Sequence, residues 1–201
     1  MAGDPVDLEL VRKARSPGGS EAFATLVRRY ERPLYNFFLR SLRNGALAEE
    51  YFQETLLRCC RALSGFDPDD PAANFKAWVY RIAVNLVRDE VRKPAFQRAL
   101  ALEQELGLDA EADRAPSPED AASWAQQRAR VRRAVTGLPE QPREVVILHQ
   151  YQGLSYPEIA LALDIPLGTV KSRMHAALGQ LRKVLVDDGD EAVAAAQGVA
   201  P

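Results

Sequence analysis

The sequence predicts an all-α protein of two small helical domains joined by a flexible acidic linker. Three observations predict it. Apolar residues recur at three- and four-residue steps through most of the chain, the period of helices with one buried face. No stretch alternates apolar and polar residues as a half-buried strand does. Over residues 96–116 the periodicity gives way to acidic, alanine-rich sequence ending in DRAPSPED, the composition of a linker. The domains are therefore expected at 1–95 and 117–186, with a disordered acidic tail at 187–201.

In the first domain, Asp4-Pro5 can cap a short helix carrying Leu8, Leu10 and Val11, which Pro17-Gly18-Gly19 breaks. Ser20 is expected to cap a longer helix with Phe23, Leu26, Val27, Tyr30, Leu34, Phe37, Phe38 and Leu42 facing inward, and Pro33 should kink or interrupt it. Arg43-Asn44-Gly45 is a turn. A third helix runs from about Ala46 to Leu63 with Leu47, Tyr51, Thr55 and Leu56 inward. Its other face is mainly acidic: Glu49, Glu50, Gln53, Glu54 and Arg58. Residues 65–75 form a loop rich in Asp and Pro. The next helix should pack on Trp78, Val79, Ile82, Ala83 and Leu86, while Lys76, Arg81, Asn85, Arg88, Arg92 and Lys93 load the rest of its surface.

In the second domain, Ser117-Pro118-Glu119-Asp120 reads as a helix start, followed by Trp124, Ala129, Val131 and Val135. Leu138-Pro139 ends that helix. Another runs from Gln141 to Tyr151, with Val145, Leu148 and Tyr151 available to pack on Ile159 and Val170. Then come two helices joined by a tight turn. Ser155 and Glu158 have capping-box spacing. Asp164-Ile165-Pro166 stops the first of the pair, and the second starts near Leu167. Val170, Met174, Leu178, Leu181 and Leu185 should form its buried stripe. Lys171, Ser172 and Arg173 fall at the helix start and off that stripe.

That last pair is a helix-turn-helix layout, with donors where a recognition helix meets base edges and phosphates. A plain helical hairpin is the simpler reading of any such pair. A purely structural helix, however, gains nothing from Lys171 and Arg173 at its positive end, where the dipole disfavours cations. An anionic partner there accounts for them. The net charge of −2 argues against nucleic-acid binding only until its distribution is seen. Residues 101–127 hold seven acids and one base, and 186–201 hold four acids and no base, so the remainder carries +8. Beside the cationic helix, Trp78 suits base stacking, although a lone Trp is more often core.

Other functions find little footing. No apolar run approaches the roughly 20 residues of a membrane span, and the N-terminus lacks signal-peptide order, so a cytoplasmic protein without membrane insertion is expected. Cys59 and Cys60 are adjacent and cannot readily bridge. With His149 and His175 they fall short of a zinc site, so buried or half-buried thiols are the expectation and no cofactor is implied.

Two separated blocks resemble one family, the bacterial sigma factors of the extracytoplasmic-function (ECF) group. They are the stretch from YERPLYNFFLRSL to NLVRDEVRK and the stretch LPEQPREVVILHQYQGLSYPEIALALDIPLGTVKSRMHAALGQLR. The resemblance implies that the AEEYFQETLL helix docks on core RNA polymerase through Glu49, Glu50, Gln53 and Glu54. It implies that the 65–75 loop and the following helix open and read the −10 promoter element through Asp67, Asn74, Lys76, Trp78, Arg81, Asn85, Arg88, Arg92 and Lys93. The second block then reads the −35 element through Arg143, Ser155, Thr169, Lys171, Ser172, Arg173 and His175. The family often has Glu-Asp at 49–50, a base at 176 and a small or acidic residue at 157, where this chain has Glu-Glu, Ala176 and Pro157.

A sigma factor does no bond chemistry, and no nucleophile–base pair is apparent in the sequence. A stand-alone helix-turn-helix regulator is the main alternative, but it leaves the cationic Trp-bearing helix of the first domain unexplained. A recombinase would need a catalytic Ser or Tyr among convergent arginines. Expected partners are core RNA polymerase, promoter DNA and an anti-sigma factor. With few apolar residues left over to join them, the two domains are expected to sample many relative arrangements.

Overall fold

The computed structural model describes residues 3–99 and 121–196. Most of the expected linker, the helix start expected at Ser117–Asp120, and the side chain of Trp124 lie outside the described residues. Among those residues the secondary structure is helical, as the periodicity requires.

Helix α1 spans Pro5–Ala14, and Asp4 caps it by accepting from the Val6 N–H at 2.9 Å. Helix α2 spans Ser20–Leu42 and runs through Pro33 without a break. Its N-cap is Gly19 rather than Ser20, which is the first helical residue. A Cβ at 19 would lie 2.2 Å from the Lys13 carbonyl oxygen, so the chain packs too closely on the end of α1 for a larger residue. Arg43 closes α2 in the left-handed region at φ 56°. Asn44 then caps α3 (Gly45–Ala62), accepting from the Leu47 N–H.

Helix α4 spans Phe75–Val91, capped by Asn74, whose Oδ1 accepts from the Ala77 N–H at 2.9 Å. These four helices share a core of Val11, Leu26, Leu34, Phe37, Phe38, Phe52, Phe75 and Tyr80. The rings meet edge to face, as their quadrupoles favour, with Phe37–Tyr80 centroids 5.6 Å apart and Tyr30–Phe75 5.7 Å. Residues 94–99 are helical again.

In the second domain α5 spans Ala121–Thr136 and α6 Glu140–Val146, followed by a π-helical turn at Ile147–Tyr151. Helix α7 spans Tyr156–Leu163, with Pro157 in its first turn, where a missing donor costs nothing. Glu158 accepts from both the backbone N–H and the hydroxyl of Ser155 at 2.7 Å. Asp164 ends α7 at φ 56°, and α8 runs from Leu167 to Ala196. It extends into the stretch expected to be a disordered tail, where Ala192, Ala194, Ala195 and Ala196 have the highest helix propensity.

Three packing expectations change. Leu178 is 53% exposed, and the buried line on α8 is Val170, Met174 and Ala177, with Leu181 half-buried beside it. Val131 is exposed on α5. Tyr151 does not enter the second domain's core; its ring lies beneath the Arg40 guanidinium of α2, 4.2 Å from the centroid.

Tyr151 is one sign of a larger difference. The two domains are packed together, α4 against α7 and α2 against the π-helical turn. On α4 the buried residues include Tyr80, Val84 and Val87 as well as the expected Val79, Ala83 and Leu86. Val84, Val87 and Val91 line a small cavity whose opposite wall is Glu140, Arg143, Glu144 and Ile147 of the second domain. Helix α4 therefore carries two apolar faces. One is buried in its own domain and the other against the second, which supplies the adhesion that the sequence was expected to lack.

Candidate nucleic-acid interface

Four of the nine residues expected at the −10 element are held by acceptors of the second domain. Asn74 Nδ2 donates to Glu158 Oε1 at 3.2 Å, and Lys76 Nζ donates to the Gly153 carbonyl at 3.1 Å. Arg81 pairs with Asp164 at 3.0 Å. Arg88 donates from Nε and a terminal nitrogen to the two oxygens of Glu144, at 2.7 and 2.9 Å. The bond to Glu144 raises the Arg88 guanidinium above its ordinary range, against the opposing effect of burial. Between these ties the buried Tyr80 hydroxyl donates to Gln152 Oε1 at 2.9 Å. Sequence reasoning gave Tyr80 no such role, because its partner lies 72 positions away.

The remaining five residues take other positions. Asn85 and Arg92 are exposed. Trp78 is half-buried, its ring 5.4 Å from Phe66 and 5.5 Å from Phe75. Asp67 accepts from the Asp69 N–H at 3.0 Å and shapes the loop. Lys93, itself exposed, pairs with the buried Glu90 at 2.6 Å and donates to the Tyr51 hydroxyl at 3.3 Å. Burial pushes the Glu90 carboxyl up, but bonds from Lys93 and Tyr51 outweigh it and hold the group below the usual carboxylate range.

At the head of α8, Thr169 and Arg173 are half-buried while Lys171, Ser172 and His175 are exposed, all within two turns. Ser172 donates its hydroxyl back to the Thr169 carbonyl at 3.0 Å. Ser155 is engaged with Glu158. Arg143 sits apart on α6, donating to the Thr136 carbonyl at 3.0 Å, and burial followed by the charge of Arg43 lowers its pKa.

On α3, Glu49, Glu50 and Gln53 are exposed and Glu54 half-buried. Gln53 bonds Glu49 at 2.8 Å and Arg58 bonds Glu54 at 2.7 Å. Leu57, 51% exposed, extends this face by one turn. It was missed because a leucine in a helical pattern is normally assigned to the core.

No described helix is long and apolar enough to cross a membrane. Residues 26–96 match the family model for sigma-70 region 2, and residues 128–181 match that for sigma-70, region 4. The chain is 33% identical over 180 residues to the ECF RNA polymerase sigma factor SigW of Bacillus subtilis, covering 85% of this chain and 92% of that one. It is 34% identical over 179 residues to the ECF RNA polymerase sigma-E factor of Escherichia coli, covering 87% and 90%. With SigE of Mycolicibacterium smegmatis it shares 34% identity, covering 83% of this chain and 62% of that longer relative. Among solved structures, CnrH in complex with the cytosolic domain of CnrY matches with a TM-score of 0.66 and 28% identity, over 91% of this chain and 99% of that one. The fold is shared too with the sigma factor RpoE of Bartonella quintana, solved with the anti-sigma factor NepR, at a TM-score of 0.60 and 23% identity over 81% and 96%. With both regions present in order, separated by the acidic segment, and with near full-length relatives above 30% identity, this chain belongs to the ECF RNA polymerase sigma factors, which direct promoter-specific initiation of transcription.

Proposed function

We propose that the chain docks on core RNA polymerase through the α3 face of Glu49, Glu50, Gln53, Glu54 and Leu57 and reads promoters with two separate surfaces. The 65–75 loop with α4 takes the −10 element, and the head of α8 takes the −35 element. Work is done by binding alone. Phosphate contacts from arginine and lysine set position, and each good base-edge pair contributes roughly 1–3 kcal/mol of discrimination. Unstacking a base costs a few kcal/mol, which capture by the loop and the cations below it offsets.

The observation that carries this reading is the matched chemistry of α4. Its cations and amide are satisfied by two carboxylate side chains, a third carboxylate and a carbonyl of the second domain. These acceptors are carboxylate and carbonyl oxygens, the same kinds of group that phosphates and bases would offer the helix. The packed arrangement is therefore a resting form, and DNA binding requires the domains to part. CnrH was solved with the cytosolic domain of CnrY, and an anti-sigma factor that holds the two domains together in the cytoplasm is the regulatory partner this reading assigns to the chain. The test is reconstitution with core polymerase and run-off transcription from a promoter library. Promoter-dependent transcripts are expected only when this chain is added. Sequence-specific binding to a duplex by the chain alone, with no effect on core, would instead support a stand-alone regulator.

A further inference from the structure

Helix α1 packs on α2 and meets α4, and nothing in the promoter reading so far uses it. Its two sides nevertheless have different tasks. One side is fastened to α2. Val11 is fully buried, and the buried carboxylate of Asp7 accepts from the Tyr30 hydroxyl and lies 2.8 Å from Arg29 Nε. Arg29 also reaches Asp4 at 2.8 Å. The other side, together with the residues just before and after the helix, faces the 65–75 loop and its approach and holds them at three places. At its start, Arg15 donates to the Ser64 carbonyl at 3.0 Å. At its middle, Arg12 donates to Asp69 Oδ1 at 2.8 Å and to the Pro68 carbonyl at 3.1 Å. At its end, the Gly3 N–H donates to the Ala73 carbonyl at 2.7 Å. A Cβ on Gly3 would lie 2.9 Å from the Asn74 Cα, so this last contact is a close backbone approach.

We propose that α1 is a brace that sets the shape of the base-capturing loop, with Arg12 as its positioning residue. This rests on the −10 role given to the loop above. A pocket for an unstacked base has to exist before the base arrives, because ordering a loop at the moment of binding subtracts from affinity. The loop's own bonds are short range: Asp67 to the Asp69 N–H, and Asp70 to the Ala72 and Ala73 N–H groups. They shape turns but fix nothing relative to α4. Phe66 anchors one end against Phe75 and Trp78. The middle, Pro68–Asp69, is fixed across the gap by Arg12, whose fork spans a side chain and a backbone carbonyl at once. Lysine cannot reproduce both bonds. The pair is exposed, Arg12 at 43% and Asp69 at 73%, and exposed pairs contribute little to stability, so the effect of breaking it falls on loop geometry rather than folding.

The experiment uses holoenzyme assembled from core polymerase and the full chain, selecting from single strands randomised over the −10 element. Core affinity, −35 duplex binding and melting temperature are read alongside. For Arg12→Gln, selectivity at the captured base is expected to fall about tenfold, the loss of roughly one charge-assisted hydrogen bond. The other three readouts stay at wild type. Asp69→Asn, which keeps an acceptor and leaves the Pro68 bond, gives a smaller loss, the double variant is no worse than Arg12→Gln alone, and Arg12→Lys recovers part of it. Arg15→Gln, at the loop's start, gives a smaller loss in the same readout. Wild-type selectivity in Arg12→Gln overturns the proposal, as does a joint fall of all four readouts, which marks an ordinary structural residue. If wild-type holoenzyme itself shows no −10 selectivity, the loop's assignment is what fails, and the brace falls with it.

Discussion

Arg88 of α4 and Glu144 of α6 form a two-pronged ion pair across the domain seam, at 2.7 and 2.9 Å and largely shielded from solvent. About two turns earlier on α4, the buried Tyr80–Gln152 bond joins the same two domains. The seam thus combines directional polar contacts with the apolar Val84–Val87 face.

Glu144→Gln removes the charge but keeps the shape. The expected outcome is a closed form weakened by about 1.5–3 kcal/mol, the usual worth of a hydrogen bond to a charged group. Fluorescence transfer between labels placed on the exposed faces of α3 and α8 should report a larger mean separation. Binding of a −10 single strand should strengthen in step, since Arg88 is released. An unchanged separation would remove the ion pair from any account of closure.

Tyr80→Phe deletes only a hydroxyl. Gln152 then keeps a buried carbonyl with no donor, at a cost of about 1–3 kcal/mol in chemical denaturation. Adding Gln152→Met replaces both polar partners by apolar groups, and the double variant should regain part of the loss. Additive losses would show that the two side chains do not interact in solution.

Leu57→Ala tests the core-docking face. Leu57 is half-exposed, so folding stability should change by less than about 0.5 kcal/mol. Affinity for core should nevertheless fall by about 1 kcal/mol, because an interface buries its apolar centre within a polar rim and Leu57 is the apolar residue of this face. Glu50→Ala with Gln53→Ala should weaken core binding too, mostly through the association rate. Competition for a fixed amount of core measures both, and wild-type competition by Leu57→Ala would move the docking face elsewhere.

Acid should weaken the fold around Glu158. Burial raises the Glu158 carboxyl, but bonds from Ser155 and Asn74 and the charge of Lys76 win, and the group sits below its ordinary value of 4.5. A carboxyl depressed in the folded state stabilises that state at pH above its ordinary range, and the contribution is lost as pH falls through the depressed value. The largest of these bonds, from Ser155, lie inside the second domain, so stability in denaturant should stay constant from neutrality down to about pH 5 and fall below it. Glu158→Gln should flatten part of that fall, and an identical acid profile in this variant would assign the loss to other carboxyls.

What was legible in the sequence was local. The Ser155–Glu158 capping box, the helix stop at Asp164–Pro166, the turn at Arg43–Gly45 and the cap at Asp4 all follow from neighbours within four residues. The error at Leu178 came from counting only large apolar residues. Ala177 occupies the buried step, and its small side chain lets α8 approach its neighbours. The seam was illegible for a different reason. Tyr80, Val84 and Val87 look like the flank of an ordinary amphipathic stripe, and only the partner surface, more than fifty positions away, turns them into a second core face. Cations on α4 signalled an anionic partner correctly in kind, but nothing local distinguishes a phosphate from the chain's own glutamates.

The seam also imposes a rate. Separating the domains breaks several bonds within one molecule, so it proceeds at a speed independent of how much polymerase or DNA is present. On the proposed reading, encounter would set the pace of strand capture at low promoter concentration, and the parting of α4 from α7 at high concentration. A closed chain would then open with a characteristic mean time, set by contacts such as Tyr80–Gln152 and Arg88–Glu144 rather than by the abundance of anything it later meets.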